Sequence, residues 1–165
     1  MQIRPASVDD AAAFAALYNP FVLHTTITYE LEAVSAEVMA QRILARQAAH
    51  AWLTLADGGT ILGYGYYGAF RERAAYRHVV ESSLYLAPAA QGKGLGRTLY
   101  EALIAQAGAQ GYREMIGVVA LPNPRSIRLH EALGFTQVGL LARSGYKFGQ
   151  YLDTGLWQKA LTPPT

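Results

Sequence analysis

Val79-Val-Glu-Ser-Ser-Leu-Tyr-Leu-Ala-Pro-Ala-Ala-Gln-Gly-Lys-Gly-Leu-Gly-Arg97 is the stretch on which the fold of this chain turns. His78 to Leu86 reads as a strand that carries one carboxylate, Glu81. From Gly94 to about Ala107, the residues Leu95, Leu99, Ala102, Leu103 and Gln106 recur at helical spacing. A glycine-rich turn joins the two. Such a turn can aim a row of backbone N–H groups at a phosphate, and the helix N-terminus adds its partial positive charge. A glutamate a few residues upstream can then act on whatever the phosphate-bearing molecule delivers, which points to a group-transfer enzyme.

The familiar phosphate loops do not fit. A P-loop counted from Gly92 would need its second glycine where Arg97 stands, and the dinucleotide fingerprint needs G-x-G-x-x-G where this chain has G-x-G-x-G. Glycines at alternate positions cost helix stability, and side chains there would keep an anion from the amides. The plainer reading of the same residues is a helix start with Lys93 and Arg97 as solubilising charges.

Working outward, the elements alternate. Gln2 to Pro5 is a short strand, and Ser7, three residues before Asp10, makes a capping pattern for a helix with Phe14, Leu17 and Tyr18 on one face. Asn19-Pro20 is expected to end or kink that helix. Ser35 caps a second helix through about Ala48, with Met39 and Ile43 four apart. Trp52 to Leu55 and Ile61 to Phe70 read as a hairpin about the Asp57-Gly-Gly59 turn, and Gly63, Gly65 and Gly68 mark a bulge or a closely approaching backbone. Glu114 to Val119 is a strand, Asn123 to Leu133 a helix stopping at Gly134, and Phe135 to Leu141 and Tyr151 to Leu161 complete a sheet. Hairpins early and βαβ-like units later predict an α/β (α+β) fold in three layers, with a mixed central sheet flanked by helices.

The 165 residues suit a single domain over 1–161, with Pro-Pro in the tail 162–165. Hydrophobic residues are 52% of the chain and the net charge is +2, spread without a basic block, so nucleic acid is a poor candidate partner. No cysteine is present, which excludes disulfides, thiolate metal sites and a catalytic thiol and fits a reducing cytoplasm. No secretory signal or run of about 18 apolar residues is visible, so no membrane association is expected. His24, His50, His78 and His130 lack metal-ligand spacing, so no metal is expected, and no G-x-S-x-G nucleophile appears. Direct attack by a nucleophile in a ternary complex is then simpler than a covalent acyl-enzyme.

Gln91-Gly-Lys-Gly-Leu-Gly-Arg97 resembles motif A of the GCN5-related N-acetyltransferases (GNAT), the turn that holds the pyrophosphate of acetyl-CoA. Val80-Glu-Ser82, Asn123-Pro-Arg-Ser-Ile-Arg-Leu-His-Glu-Ala-Leu-Gly-Phe135 and Gly145-Tyr-Lys-Phe-Gly149 with Asp153 and Trp157-Gln158 narrow it. Together they are similar to the phosphinothricin and methionine sulfoximine N-acetyltransferase branch, over nearly the whole chain. The resemblance implies acetyl-CoA as cosubstrate. Its diphosphate would lie on Gln91, Gly92, Lys93, Gly94, Leu95, Gly96 and Arg97, its pantetheine arm on the backbone of Leu84, Tyr85 and Leu86, and a further contact would come from Asn123.

Three groups of residues are candidates for chemistry. An amine attacks a thioester only as the free base, so a carboxylate in reach can take its proton. Glu81 shares a strand face with Val79, Ser83 and Tyr85, and the resemblance makes it the general base; the alternative is a strand glutamate paired with an arginine or solvated. Asn123, Ser126 and His130 fall on one polar helical stripe. Asn123 also suits an N-cap before Pro124. His130 stands where many relatives have a tyrosine that protonates the leaving thiolate, and an imidazole of ordinary pKa about 6.5 can give that proton. Phe70 to His78 is dense in cations and aromatics and, with Tyr29, suits a small zwitterion carrying an added anion. The resemblance assigns Arg73 and Tyr76 to the acceptor, while Arg77-His78 looks more like the methionine sulfoximine and sulfone members. Tyr146, Lys147, Phe148 and Trp157 are expected to close this pocket, from a neighbouring subunit if the chain is a homodimer as relatives usually are.

The expected function is therefore acetyl transfer to the α-amino group of a small amino-acid analogue. The competing expectations are transfer to a protein N-terminus or polyamine, which Arg71, Arg73 and Arg77 disfavour for the polyamine, and a non-catalytic acyl-CoA sensor.

Overall fold

The computed structural model describes residues 1–162, so the tail expected at 162–165 lies, beyond Thr162, outside the described residues. Among the described residues the strands are β1 (Gln2–Pro5), β2 (Ala51–Asp57), β3 (Thr60–Ala69), β4 (Val79–Leu86), β5 (Glu114–Ala120), β6 (Thr136–Lys147) and β7 (Gln150–Ala160). The α-helices are α1 (Ala11–His24), α2 (Ala36–Gln47), α3 (Leu95–Ala109) and α4 (Pro124–Ala132).

Alternation along β2 shows the layering. Ala51, Leu53 and Leu55 join Leu99 and Leu103 of α3 in one apolar cluster, whereas Trp52 joins Phe14 of α1 and Met39 and Ile43 of α2 in the other. Helices α1 and α2 therefore cover one face of the sheet, and α3 and α4 the other. The seven strands run in the order β1-β2-β3-β4-β5-β7-β6, antiparallel except for β4 with β5. This is the mixed, three-layer arrangement expected from the sequence.

The first turn is tied down by charge. Ser7 and Asp10 form the expected capping box. Asp10 also takes both guanidinium nitrogens of Arg4 at 2.8 Å, and the Thr54 hydroxyl at 3.0 Å. The Arg4 bonds hold the Asp10 carboxyl below the usual range although burial opposes them.

Of the two outcomes expected at Asn19-Pro20, an end of the helix is not found: α1 continues to His24 with Pro20 inside it. Pro20 and Ala16 both face solvent, so water can reach the Ala16 carbonyl that loses its helical donor. Asn19 turns its side chain to the loop after α1 instead, bonding Val34 N–H and C=O at 2.8 and 2.9 Å.

The last hairpin also departs from the expected one. Strand β6 runs to Lys147 rather than Leu141, with a break in register between Leu141 and Gly145 where Arg143 adopts a φ of 52°. The Gly145 to Gly149 run is thus the end of β6 and its turn. For β3, both features expected at its glycines occur: register shifts opposite Leu55/Ala56, and a Cβ at Gly63 would lie 2.8 Å from the Tyr85 backbone oxygen.

What positions the site is the one parallel pairing. Strands β4 and β5 are in register only from Val79 to Ser82 against Glu114 to Gly117. Beyond that they part, while β3 stays paired with β4 as far as Leu86 and β7 with β5 as far as Ala120. The sheet is split at its centre.

Candidate active site

A cavity of about 220 Å³ occupies the split. Ser82 to Leu86 form one wall and Val118 to Ala120 the other, while Asn123, Ser126, Leu129 and His130 of α4 and Tyr100 of α3 close one side. Phe21 and Ile27, from α1 and the loop after it, close the opposite side. The opening thus runs through the sheet from one helical layer towards the other. Because β5 has left, the β5-facing backbone of Ser83 to Leu86 lacks a strand partner. Such an edge can pair with an extended chain that carries amides of its own. Leu84 and Leu86 turn their side chains to the α3 layer, and Tyr85 turns its ring to Tyr18 and Phe21 of α1.

Gln91 lines the end of this cavity, and the glycine turn begins there. Its Nε2 donates to Leu86 O at 3.3 Å and its Oε1 accepts from Arg125, fastening the turn to β4 and α4. Gly92 and Gly94 take φ of 73° and 77°, a left-handed backbone that a side chain would strain. From Gly92 to Arg97 no backbone N–H meets an acceptor among the described residues, since the first helical bond here runs from Thr98 N–H to Gly94 O. Six unpartnered donors at a helix N-terminus suit a diphosphate.

The side chains of the turn are disposed less uniformly than expected. Lys93 is exposed, but Arg97 pairs with Glu101 along the helix at 2.9 Å. Leu95 packs into the core, and Gly96 is buried, where a Cβ would lie 3.2 Å from Leu86 Cδ1. None of Gly92 to Arg97 lines the cavity. Whatever they offer an anion is therefore main chain, with Lys93 at hand.

Glu81 precedes the first cavity residue, Ser82, and its side chain points to the other face of the sheet, towards α1 and α2. It is half-buried and in no ion pair among the described residues, which excludes the salt-bridged alternative. Burial raises its pKa, while Arg46 and then Arg71 pull it back down. A carboxylate of raised basicity beside a split strand pair is suited to general base work.

On α4, Asn123 caps the helix through Oδ1 to Ser126 N–H at 3.2 Å, and its amide nitrogen is left for the cavity. His130 is buried rather than exposed. Its Nδ1–H donates to Ser126 O at 2.7 Å, so in the neutral ring Nε2 accepts, from the Tyr100 hydroxyl at 3.1 Å. Burial lowers its pKa, and the Ser126 bond only partly restores it. A neutral His130 with its one proton tied to a carbonyl is a poor donor to a thiolate, so the expectation of an ordinary imidazole does not hold. Tyr100, 2.6 Å from the Ser82 hydroxyl, stands between His130 and β4, and the sequence reading missed it. The signal was a phenol on the buried face of α3, which must find a partner for its O–H. Gly117 leaves room for the imidazole, since any Cβ there would collide with His130 Nε2.

The expected acceptor residues stay outside the cavity. The Tyr29 hydroxyl is held by Thr154 Oγ1 at 2.7 Å and its ring lies on Gly145, so it braces the β6–β7 hairpin. Arg73 and Tyr76 sit on the exposed loop between β3 and β4, with Tyr76 edge-on to Phe70. None of the three lines the cavity. Of the residues expected to close it, Trp157 belongs to the core, and Lys147 is buried with Nζ donating to Thr28 O at 2.8 Å. Tyr146 and Phe148 are exposed. Among the described residues no cluster of metal-ligating side chains occurs, and no helix is long and apolar enough to cross a membrane.

Comparison with known proteins bears on this geometry. The model of the acetyltransferase (GNAT) family matches residues 14–135. The chain is 36% identical to the phosphinothricin N-acetyltransferase of Streptomyces viridochromogenes over 164 residues, covering 99% of this chain and 90% of that protein. It is 38% identical to the L-methionine sulfoximine/L-methionine sulfone acetyltransferase of Salmonella typhimurium, covering 98% and 95%. The crystal structure of a phosphinothricin acetyltransferase from Sinorhizobium meliloti in complex with acetyl-CoA superimposes with a TM-score of 0.94 at 39% identity, covering 98% of this chain and 88% of that one.

Proposed function

The chain belongs to the acetyltransferase (GNAT) family and is an acetyl-CoA-dependent N-acetyltransferase, and on that premise we propose that its acceptor is the α-amino group of a small amino-acid analogue of the phosphinothricin or methionine sulfoximine kind. The observation that carries the proposal is the split between β4 and β5. It has unpartnered amides at one end and Glu81 beside its closed end, on the opposite face of the sheet from the α3 layer.

In this reading the donor's diphosphate rests on the Gly92 to Arg97 amides and its arm pairs with the free edge of Leu84 to Leu86, near Asn123 and Ser126. The acceptor approaches from the α1–α2 side. Glu81 takes a proton from the ammonium, directly or through water. The nitrogen then attacks the acetyl carbonyl, the N–C bond forms, and the C–S bond breaks with its electrons leaving on sulfur, which takes up the second proton that the nitrogen sheds, directly or through water. The whole reaction is assigned to one acetyltransferase domain over 1–161. Release of free coenzyme from acetyl-CoA over a panel of amino acids, peptides and polyamines tests the reading. Turnover of L-methionine sulfone and sulfoximine with intersecting double-reciprocal lines is expected. Parallel lines would overturn direct attack, and turnover of peptides or polyamines alone would overturn the acceptor class.

A homodimer is part of the same proposal. Strand β6 lies at the sheet edge and exposes Val138 at 54% and Leu140 at 56%, with Tyr146, Phe148 and Tyr151 exposed on its hairpin with β7. Apolar surface of that kind on an edge strand calls for a cover, and a second copy can supply one through a twofold axis. Sedimentation should give twice the chain mass for the wild type and the monomer mass for Leu140→Asp. A monomeric wild type would refute the dimer.

A further inference from the structure

Arg46, on the last turn of α2, has no acidic partner among the described residues. It is half-buried, and its guanidinium lies over the ring of Tyr66 at 4.3 Å from the centroid, with Trp52 at 5.7 Å. These rings fix its position without neutralising it. Gly68 makes room: a Cβ there would stand 3.3 Å from Arg46 Nε.

Gly68 is also the direct cross-strand neighbour of Glu81. Side chains directly opposite on antiparallel strands share a face, with Cβ atoms about 4.5–5.5 Å apart. The Arg46 guanidinium therefore stands beside the Glu81 carboxylate on the α1–α2 side, close but without an ion pair. Two half-buried opposite charges held apart leave each incompletely satisfied. A molecule carrying an ammonium and a carboxylate on one carbon would complete both. Arg71 is the other cation close enough to stabilise the Glu81 anion, but it is exposed and lies over Phe70, so solvent screens it more.

We propose that Arg46 binds the α-carboxylate of the acceptor while Glu81 receives the proton of its amine, an assignment that rests on the amino-acid acceptor and the Glu81 base proposed above. Arg46, rather than the expected Arg73, then makes the enzyme prefer an amino acid to a plain amine.

Steady-state kinetics with L-methionine sulfone and its carboxamide test this in the wild type, Arg46→Met, Arg46→Lys and Arg71→Met. Loss of a charge-assisted contact should raise KM for the acid about tenfold to a hundredfold in Arg46→Met. Removing Arg46 also lets the Glu81 pKa rise further, so the comparison is made on the pH plateau above the acid limb, where KM for the carboxamide should rise far less than KM for the acid. Arg46→Lys should recover part of the preference for the acid, and Arg71→Met should keep most of it. Equal losses on acid and carboxamide would show Arg46 to be a packing residue. Loss of the preference in Arg71→Met but not in Arg46→Met would move the assignment to Arg71. A wild type that acetylates no amino acid, yet still acetylates other amines, would remove the proposed acceptor and this assignment with it.

Discussion

Glu81→Gln should lower turnover near neutral pH by about two to four orders of magnitude, the usual worth of a positioned general base. The substitution keeps the shape of the side chain and removes a charge that burial disfavours, so the fold should be at least as stable. The cavity proposed to take acetyl-CoA lies along Ser82 to Leu86 and does not include Glu81, so affinity for the thioester should be kept. The pH profile gives a second readout. Burial holds the Glu81 pKa above its ordinary value, with Arg46 and Arg71 opposing that rise. The base works only when deprotonated, so wild-type kcat/KM should climb with pH through that raised value, and this acid limb should vanish in Glu81→Gln. Unchanged turnover with the limb intact would take Glu81 out of the mechanism.

Gly94→Val should raise KM for acetyl-CoA by about tenfold to a hundredfold, on the scale of hydrogen bonds to a charged group. Nothing among the described residues lies within 4 Å of a Cβ at Gly94, so the branched side chain would sit in the open space at the amides rather than in the core. Its φ of 77° adds backbone strain of about 1–3 kcal/mol for a non-glycine residue. Gly58→Val controls for that strain. Gly58 has a φ of 54° and an equally open surrounding, but it lies in the β2–β3 turn away from the cavity. The two variants should lose comparable stability in thermal melts, and only Gly94→Val should weaken acetyl-CoA binding in calorimetry. Equal affinity in both would mean that the Gly92 to Arg97 amides do not hold the diphosphate.

Much of the fold was legible because its signals are local. Ser7 with Asp10, Ser35, and Asn123-Pro124 start helices as their side chains require, and Gly134 stops one. Whether Pro20 ends α1 was not legible, because its cost depends on whether the freed carbonyl meets water, which is a matter of exposure rather than of residue type. The extra length of β6 was hidden by a break in register that only pairing with β7 reveals.

The site divides in the same way. Glu81, the glycine turn and the Asn123 cap could be placed from the chain alone, because each depends on neighbours within about one helical turn or strand repeat. His130 could be seen as a candidate, but its protonation state depends on its burial, which comes from packing against distant rings such as Tyr100, thirty positions away. Tyr29 looked free for a substrate until Thr154 took its hydroxyl.

The amino-acid sequence by itself determined the order of strands and helices, the glycine-rich turn at the head of α3, and the presence of a carboxylate on the strand before it. Only the tertiary structure decided that β4 and β5 separate after Ser82, that Gly68 lets Arg46 lie beside Glu81, and that Arg73 and Tyr76 stay on an outer loop. The division follows from range: propensity, capping and alternation act between residues close along the chain, whereas register and burial arise from contacts between distant segments, which no short stretch of sequence contains.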